Sequence, residues 1–269
     1  MNCDSIFRIG KTHTVCEDYT FHSNGETPHI IVCDGSSFAE HSDLGARILA
    51  KNTSNLIDTG VFKDKFNLFT DFSIRCAYKD VQSLKLNSEC LCSTQLAASV
   101  VDDKLKVLVN GDGIVYVKKV DGSVEITTFQ YSPISAPFYA YYFLTTKLEK
   151  QYHEDFPGQK MLINDSESRI GPYGLEYLLD AFVECYLFSN GIFSFVDDDG
   201  KPVHFGEILE VLTQVKNLIS EDAFVDGEFV KRRMGAAFKK VFEKNKWINL
   251  DDLSMAGMYN ENKSQEQGN

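Results

Sequence analysis

Five acidic pairs sit at the ends of predicted strands, each setting a carboxylate beside a second acid or a glycine: Glu17-Asp18, Asp34-Gly35, Asp112-Gly113, Asp121-Gly122 and Asp251-Asp252. Asp-Gly is a common turn dipeptide, and an acid in a solvated loop needs no further explanation. Asp34 is not covered so easily. The continuous apolar run Ile30-Ile31-Val32-Cys33 before it suits a buried strand, and it delivers the carboxylate to the strand's end. Gly35 then lets the backbone approach a ligand closely. Such oxygen donors suit a hard divalent cation, with backbone carbonyls and waters filling its remaining positions. Two cations of this kind can hold and acidify one water for in-line attack on a phosphate.

The elements that must position these acids follow from periodicity. Residues 19–22 and 29–33 read as two strands around the turn signal Asn24-Gly25. From Asp43 onward the apolar residues keep helical spacing, with Ser42 or Asp43 as N-cap and Gly60 as stop, and a second helix is predicted over 63–86. The segments 93–101, 105–110, 114–120 and 124–128 are strands joined by tight turns, the rhythm of an antiparallel meander. The stretch 130–180 holds four of the six prolines and several aromatic clusters, and reads as an insertion. A strand over 182–188, helices over 203–219 and 229–245, and a last strand over 253–259 complete the chain; 260–269 has no apolar residue and is predicted to be a disordered tail. Helix pairs beside antiparallel strands imply a layered α+β domain with strands at the centre. Alternating βαβ order is absent, and Gly111-Asp112-Gly113 lacks the third glycine of a dinucleotide fingerprint.

The charge balance of 27 Lys+Arg against 39 Asp+Glu, net −12 over 269 residues, argues against nucleic acid as a partner. The longest apolar stretch, 136–144, is about half of the roughly 20 residues a membrane span requires, so no membrane association is expected. Residues 1–5 carry no basic flank followed by an apolar run, and the expected location is the cytoplasm. Seven scattered cysteines read as free, mostly buried thiols, because Cys90-Leu91-Cys92 has no second ligand pair at zinc spacing. Asp197-Asp198-Asp199-Gly200 lacks the first ligand and terminal glutamate of a calcium loop and reads as a hairpin turn.

The order of the acidic motifs resembles that of the metal-dependent Ser/Thr protein phosphatases of the 2C type, in their bacterial and phage branch. Gly10-Lys11-Thr12-His13-Thr14-Val15-Cys16-Glu17-Asp18 is similar to the family's opening motif. Ile31-Val32-Cys33-Asp34-Gly35-Ser36-Ser37 with Ser42-Asp43-Leu44-Gly45-Ala46 is similar to its second. Ser93-Thr94-Gln95, Val109-Asn110-Gly111-Asp112-Gly113, Phe188-Ser189-Asn190-Gly191 and Asp251-Asp252-Leu253-Ser254 follow in the family's order. The resemblance implies a four-layer α-β-β-α sandwich around a central antiparallel β-sandwich. It also implies a phosphatase-like domain over 1–259 with a variable flap at about 130–180.

The resemblance further implies a phosphoprotein or phosphopeptide substrate, hydrolysed at phosphoserine or phosphothreonine by a water activated on two Mn2+ or Mg2+ ions. Asp34 would bridge the ions, the Gly35 carbonyl would join the second, and Asp251 with residue 190 would complete the first. Glu17 would orient waters or ligate, with Asp18 anchoring behind it; Asp112 would serve a weaker third ion. The pattern breaks at two places. His13 stands where many members carry an arginine that clamps phosphate; a histidine can donate there but loses its charge near its ordinary pKa of about 6.5. Asn190 stands where the family has a metal-binding aspartate, so the first ion loses one negative ligand. Ser194 likewise replaces an acid of many relatives and weakens the third-ion site. The alternative function is a catalytically weak or inactive phosphatase-like module that binds or regulates.

Overall fold

The run His29–Cys33 is buried at every position because both faces of its strand are covered, and alternation sorts its side chains between two compartments. Ile30 and Val32 enter one core with Leu96, Val107, Val115 and Leu187, whereas Ile31 and Cys33 enter another with Leu49, Ile74 and Ala77. The computed structural model describes residues 1–213 and 227–261 and shows why.

In chain order the strands are β1 (Asn2–Arg8), β2 (Tyr19–Ser23), β3 (His29–Cys33), β4 (Gln95–Val101), β5 (Lys104–Asn110), β6 (Gly113–Lys119) and β7 (Val124–Ser132). They continue with β8 (Lys160–Ile163), β9 (Ser166–Ser168), β10 (Tyr173–Leu178), β11 (Phe182–Phe188), β12 (Phe195–Val196), β13 (Ile248–Asn249) and β14 (Leu253–Tyr259). The helices are α1 (Ser42–Asp58), α2 (Val61–Asp64), α3 (Phe69–Ser83), α4 (Thr146–Asp155), α5 (Phe205–Thr213), α6 (Phe229–Ala237) and α7 (Glu243–Asn245). One sheet has the order β1-β14-β11-β6-β7-β8-β9 and the other β10-β5-β4-β3-β2; every pairing within them is antiparallel.

The sheets face each other across the first core. α1 and α3 cover the outer face of the five-stranded sheet, and α5 and α6 cover the outer face of the seven-stranded one, where Tyr186, Phe188 and Met255 meet Leu209, Phe229 and Met234. This is the four-layer α-β-β-α arrangement. Each fully buried Leu or Phe in these layers contributes about 1.5–3 kcal/mol relative to exposure.

Several boundaries differ from expectation for identifiable reasons. The predicted helix over 63–86 is broken: Gly60, at φ +82°, turns the chain into α2, a 3-10 turn spans Phe66–Leu68, and only then does α3 begin. β1 is an unannounced edge strand whose polar start hides it. Its Asp4 is fully buried and accepts from the Lys231 backbone at 2.9 Å, with Lys231 Nζ 3.7 Å away. The stretch 130–180 contains α4 and three strands: β8 and β9 extend one sheet, and β10 borders the other. The helix expected over 203–219 is seen as α5, with 214–219 outside the described residues. α6 runs on through a π-turn at Phe238–Phe242 into α7. Asn260, assigned to the tail, is buried and donates to the Leu179 and Phe182 carbonyls; 262–269 lie outside the described residues. All seven cysteines are free.

Candidate metal centre

Antiparallel register carries four of the five acidic pairs to one end of the sandwich. Tyr19 pairs with Cys33, so Asp18 and Asp34 emerge side by side. Gln95 pairs with Asn110, which sets Thr94 next to the Gly111-Asp112 turn between the sheets. Phe188 pairs with both Ile114 and Met255, so Asn190 lies between the Asp112 turn and the Asp251-Asp252 loop. Arg8 pairs with Leu253 and brings in the loop bearing Gly10 and His13. Asp121 alone goes to the opposite end, where its Oδ1 accepts from the Ser123 backbone and hydroxyl in the β6–β7 turn.

The loops interlock at two glycines. A Cβ on Gly10 would sit 2.3 Å from the Asp251 carbonyl carbon, and one on Gly191 would sit 1.7 Å from the Asp252 carbonyl oxygen. No side chain fits either gap.

Hydrogen bonds then aim the acids. Asp252 accepts from the Gly10 backbone at 2.8 Å and the Glu17 backbone at 2.6 Å. Glu17 accepts from Ser37 Oγ at 2.5 Å and Ser42 Oγ at 3.0 Å, its two oxygens being held separately. Thr94 Oγ1 accepts from the Asp34 backbone, and the Thr94 backbone donates to the Asp34 carbonyl, pinning the strand end on both sides. The Gly35 backbone donates to the Glu17 carbonyl at 3.3 Å. Ser189 Oγ, fully buried, donates to Asp18 Oδ2 at 2.8 Å and accepts from the Ser254 backbone at 2.9 Å. Asn190 Nδ2 donates to Asp112 Oδ2 at 3.2 Å, and Ser194 Oγ accepts from the Asp251 backbone at 3.0 Å.

Ser189 thus satisfies a buried carboxyl and a buried amide together. Ser189→Ala removes one of the two serine donors to the Asp18 carboxyl and the acceptor of the Ser254 amide, and chemical denaturation is expected to show a loss of roughly 1–3 kcal/mol.

The carboxyls crowd one another. Asp34 is pushed well above its ordinary pKa by burial first, then by the charges of Asp18, Asp112 and Asp251. Asp18 is raised to about 7 by burial, against bonds from Ser254 and Ser189, with the charges of Asp252 and Asp251 adding to the shift. Burial raises Asp112 to about 6 against its bond from Asn190, and burial raises Asp251 as well. His13 stands among them, with Nε2 3.4 Å from Asp251 Oδ1 and Nδ1 3.2 Å from Asp252 Oδ2. Its burial lowers the ring's pKa, but Asp252, Asp251 and Glu17 outweigh that, and the net shift is upward.

This donor set fits divalent cations. It is made of oxygens, it carries more negative charge than one histidine can offset, and Asp112 Oδ1 is buried with no hydrogen bond of its own. Among the described residues, ligand atoms of His13, Glu17 and Asp252 also come within 4.8 Å of one another. A nucleophilic thiol finds no support: burial holds the thiol of Cys92 up to about 12, and raises Cys16 and Cys33 too.

Raised carboxyl pKa values have a defined consequence for stability. In the unfolded chain these groups titrate near 3.9. Their contribution to folding is therefore complete below about pH 4 and is lost as pH climbs through about 6 for Asp112 and about 7 for Asp18. A cation opposes that loss. Melting curves in EDTA and in excess Mn2+ are expected to separate progressively from pH 5 to pH 8; a separation independent of pH would contradict the proton-cation competition.

Sequence reasoning found Glu17, Asp18, Asp34, Gly35, Asp112, Asn190, Asp251 and His13, and all lie at this end. It assigned no role to Ser189, Thr94, Ser37 or Asp252, whose side chains hold the others, and it read Ser42 or Asp43 as the N-cap of α1, whereas His41 takes that position and Ser42 Oγ donates to Glu17; short hydroxyl residues carry no distinguishing signal until a partner far along the chain is known. Tyr139 was also missed. Its phenol is raised well above its ordinary pKa by burial and by the charges of Asp112 and Asp34, and a bond with Ser36 eases the shift.

A four-layer sandwich with a carboxylate centre at one end defines a phosphatase-like fold, and comparison with known proteins gives the family. A sequence profile described as Protein phosphatase 2C matches residues 10–217, and the chain belongs to that family. No curated protein matches the chain. Among solved structures, the serine/threonine phosphatase Stp1 from Staphylococcus aureus is similar in fold with a TM-score of 0.57 at 15% identity, covering 97% of this chain and 96% of that one. A bacterial serine phosphatase is similar with a TM-score of 0.54 at 14% identity, covering 96% of each chain. PppA from Pseudomonas aeruginosa is similar with a TM-score of 0.50 at 12% identity, covering 96% of this chain and 97% of that one. Among the described residues, no helix is long and apolar enough to cross a membrane.

Proposed function

We propose that this chain hydrolyses phosphoserine and phosphothreonine in phosphoproteins with the help of divalent cations. Residues 1–259 would act as one unit, with the segment 130–180 as a flap. The observation that carries the proposal is the meeting of Asp34, Asp112, Asp251, Asp252, Asp18 and Glu17 at one end of the sandwich, where one of these acids keeps a buried oxygen unbonded.

Asp34, the Gly35 carbonyl, Asp251, Asn190 and Glu17 would hold two Mn2+ or Mg2+ ions, with Asp112 beside a third position. When bound, the ions supply an acidified water and positive charge for the phosphoryl oxygens. Asp18, tied to Ser189, fixes the base of the centre. Asp252 ties the Gly10 and Glu17 backbones together, and so sets the path of the His13 loop.

His13 provides positive charge where the phosphate dianion arrives. Because its pKa is raised, that charge persists to higher pH than on an ordinary imidazole and is lost as pH rises through the shifted value. KM for a phosphorylated substrate is expected to climb on the alkaline side, and His13→Arg is expected to flatten the climb. A profile unchanged by His13→Arg would remove the histidine from substrate binding.

One observation favours a second reading. Asn190 brings an amide to this centre and spends its Nδ2 on Asp112, leaving a neutral oxygen as its only ligand atom. A phosphatase-like module with weak cation affinity would then bind phosphoproteins without turning them over. Assay of a chromogenic phosphate ester with Mn2+, and again with EDTA, separates the two: Mn2+-dependent turnover supports the enzyme, and none at saturating Mn2+ supports the module.

A further inference from the structure

Beside the carboxylate centre runs a groove of about 450 Å³ between the loop after Asp34 and the segment 134–156. Ser36, in its lining, is two residues past Asp34, and Tyr139, also in its lining, is close enough to Asp34 and Asp112 to feel their charges, so the groove adjoins the centre. Its walls are apolar and aromatic: Phe38, Pro137, Tyr139, Tyr142 and Phe156. Phe38 is fully exposed although it belongs to no core. A large apolar side chain left in water gains nothing for folding, and at the lip of a concave site it is suited to contact a partner. Glu89 and Asp155 also line the groove, and both are exposed. Among the described residues, Lys and Arg are missing from its lining, and the chain as a whole carries a net charge of −12.

We infer that this groove binds the peptide segment next to the phosphorylated residue, taking a large aliphatic or aromatic side chain between Phe38 and Tyr142 and a Lys or Arg against Glu89 and Asp155. The inference rests on the proposed function for the presence of a phosphorylated residue at the centre. Adjacency sets the scale: Ser36 is two residues past Asp34, so a peptide anchored by its phosphate near Asp34 would reach the groove within a few residues. Charge complementarity fixes the polarity of the partner, because an acidic flank would meet Glu89 and Asp155 as like charges. The apolar walls supply affinity, and the two acids supply selectivity.

The test uses the full chain in Mn2+ and fluorescent peptides bearing a non-hydrolysable phosphonate analogue of phosphoserine, scanned over the flanking positions, with fluorescence anisotropy as the readout. Peptides with Leu, Phe or Tyr and a neighbouring Lys or Arg on one side are expected to bind about ten-fold tighter than their Ala counterparts. Phe38→Ala is expected to erase the apolar preference, and Asp155→Lys the basic one. Both positions are exposed, so neither change opens a core. Equal affinity for Ala-flanked or acid-flanked peptides would overturn the inference, as would preferences that survive both substitutions. Because the peptides are not turned over, the result stands apart from catalysis. Absence of turnover of a small phosphate ester would count against the proposed hydrolase and leave a selective groove intact; turnover without flank selectivity would do the reverse.

Discussion

Asp34→Ala is expected to lower Mn2+-dependent turnover of a chromogenic phosphate ester by at least about a thousand-fold, without lowering the melting temperature of the metal-free protein. The two halves of this expectation share a cause. Charge stabilisation by bound cations is worth several kcal/mol in a phosphoryl transition state, and about 4 kcal/mol corresponds to three powers of ten. Asp34 sits where its own charge is unwelcome without a cation, since burial and the charges of Asp18, Asp112 and Asp251 all raise its pKa. Removing it takes away a proposed cation ligand and also relieves its neighbours. The Asp34 backbone bonds with Thr94 remain, so the strand end stays in place. Turnover and melting curves with EDTA check both halves. A variant that keeps turnover within ten-fold of wild type would show that the carboxylate cluster is not the cation site.

Asn190→Asp is expected to act in opposite directions with and without metal. With Mn2+, the new carboxylate adds negative charge to the ligand set, and the Mn2+ concentration for half-maximal effect is expected to fall by at least about ten-fold. In EDTA, the bond from Asn190 Nδ2 to Asp112 Oδ2 is replaced by two facing carboxylates. Asp112, already raised to about 6, is pushed higher, and the metal-free protein is expected to melt at a lower temperature at pH 8 than wild type. The sign follows from linkage: a further raised carboxyl loses more stability as pH climbs above its unfolded value. At pH 5 the two melting temperatures should converge. Mn2+ titrations followed by melting curves and by turnover give both readouts. If wild type is silent and Asn190→Asp is active, the natural chain is the binding module; an unchanged Mn2+ midpoint would mean that residue 190 does not face the cations.

The layers were readable in the sequence wherever burial repeats locally. The apolar run before Asp34, the meander over 93–128 and the amphipathic spacing of α1 all depend on neighbours a few residues away, and all appear in the structure close to their expected positions. Reading failed where a distant partner decides the outcome. β1 starts with Asn2, Cys3, Asp4 and Ser5, which do not look like a strand until β14 pairs with it and the backbone of Lys231 meets Asp4. The break between α2 and α3 depends on a glycine in the left-handed region and a short 3-10 turn, neither of which disturbs the apolar spacing enough to mark a boundary.

The amino-acid order by itself determined which groups are available: oxygen donors at strand ends, an amide where an acid would bind cations better, and a histidine where an arginine would hold its charge at any pH. Those are properties of side chains and need no neighbours. Only the tertiary structure decided which of them meet. Antiparallel register brings Asp18, Asp34, Asp112 and Asp251 to one end and sends Asp121 to the other, although the five motifs look alike along the chain. Electrostatic interaction falls with distance in space and not with separation in sequence, so the crowding that raises the pKa values of these acids, and makes them fit for cations, exists only in the folded molecule.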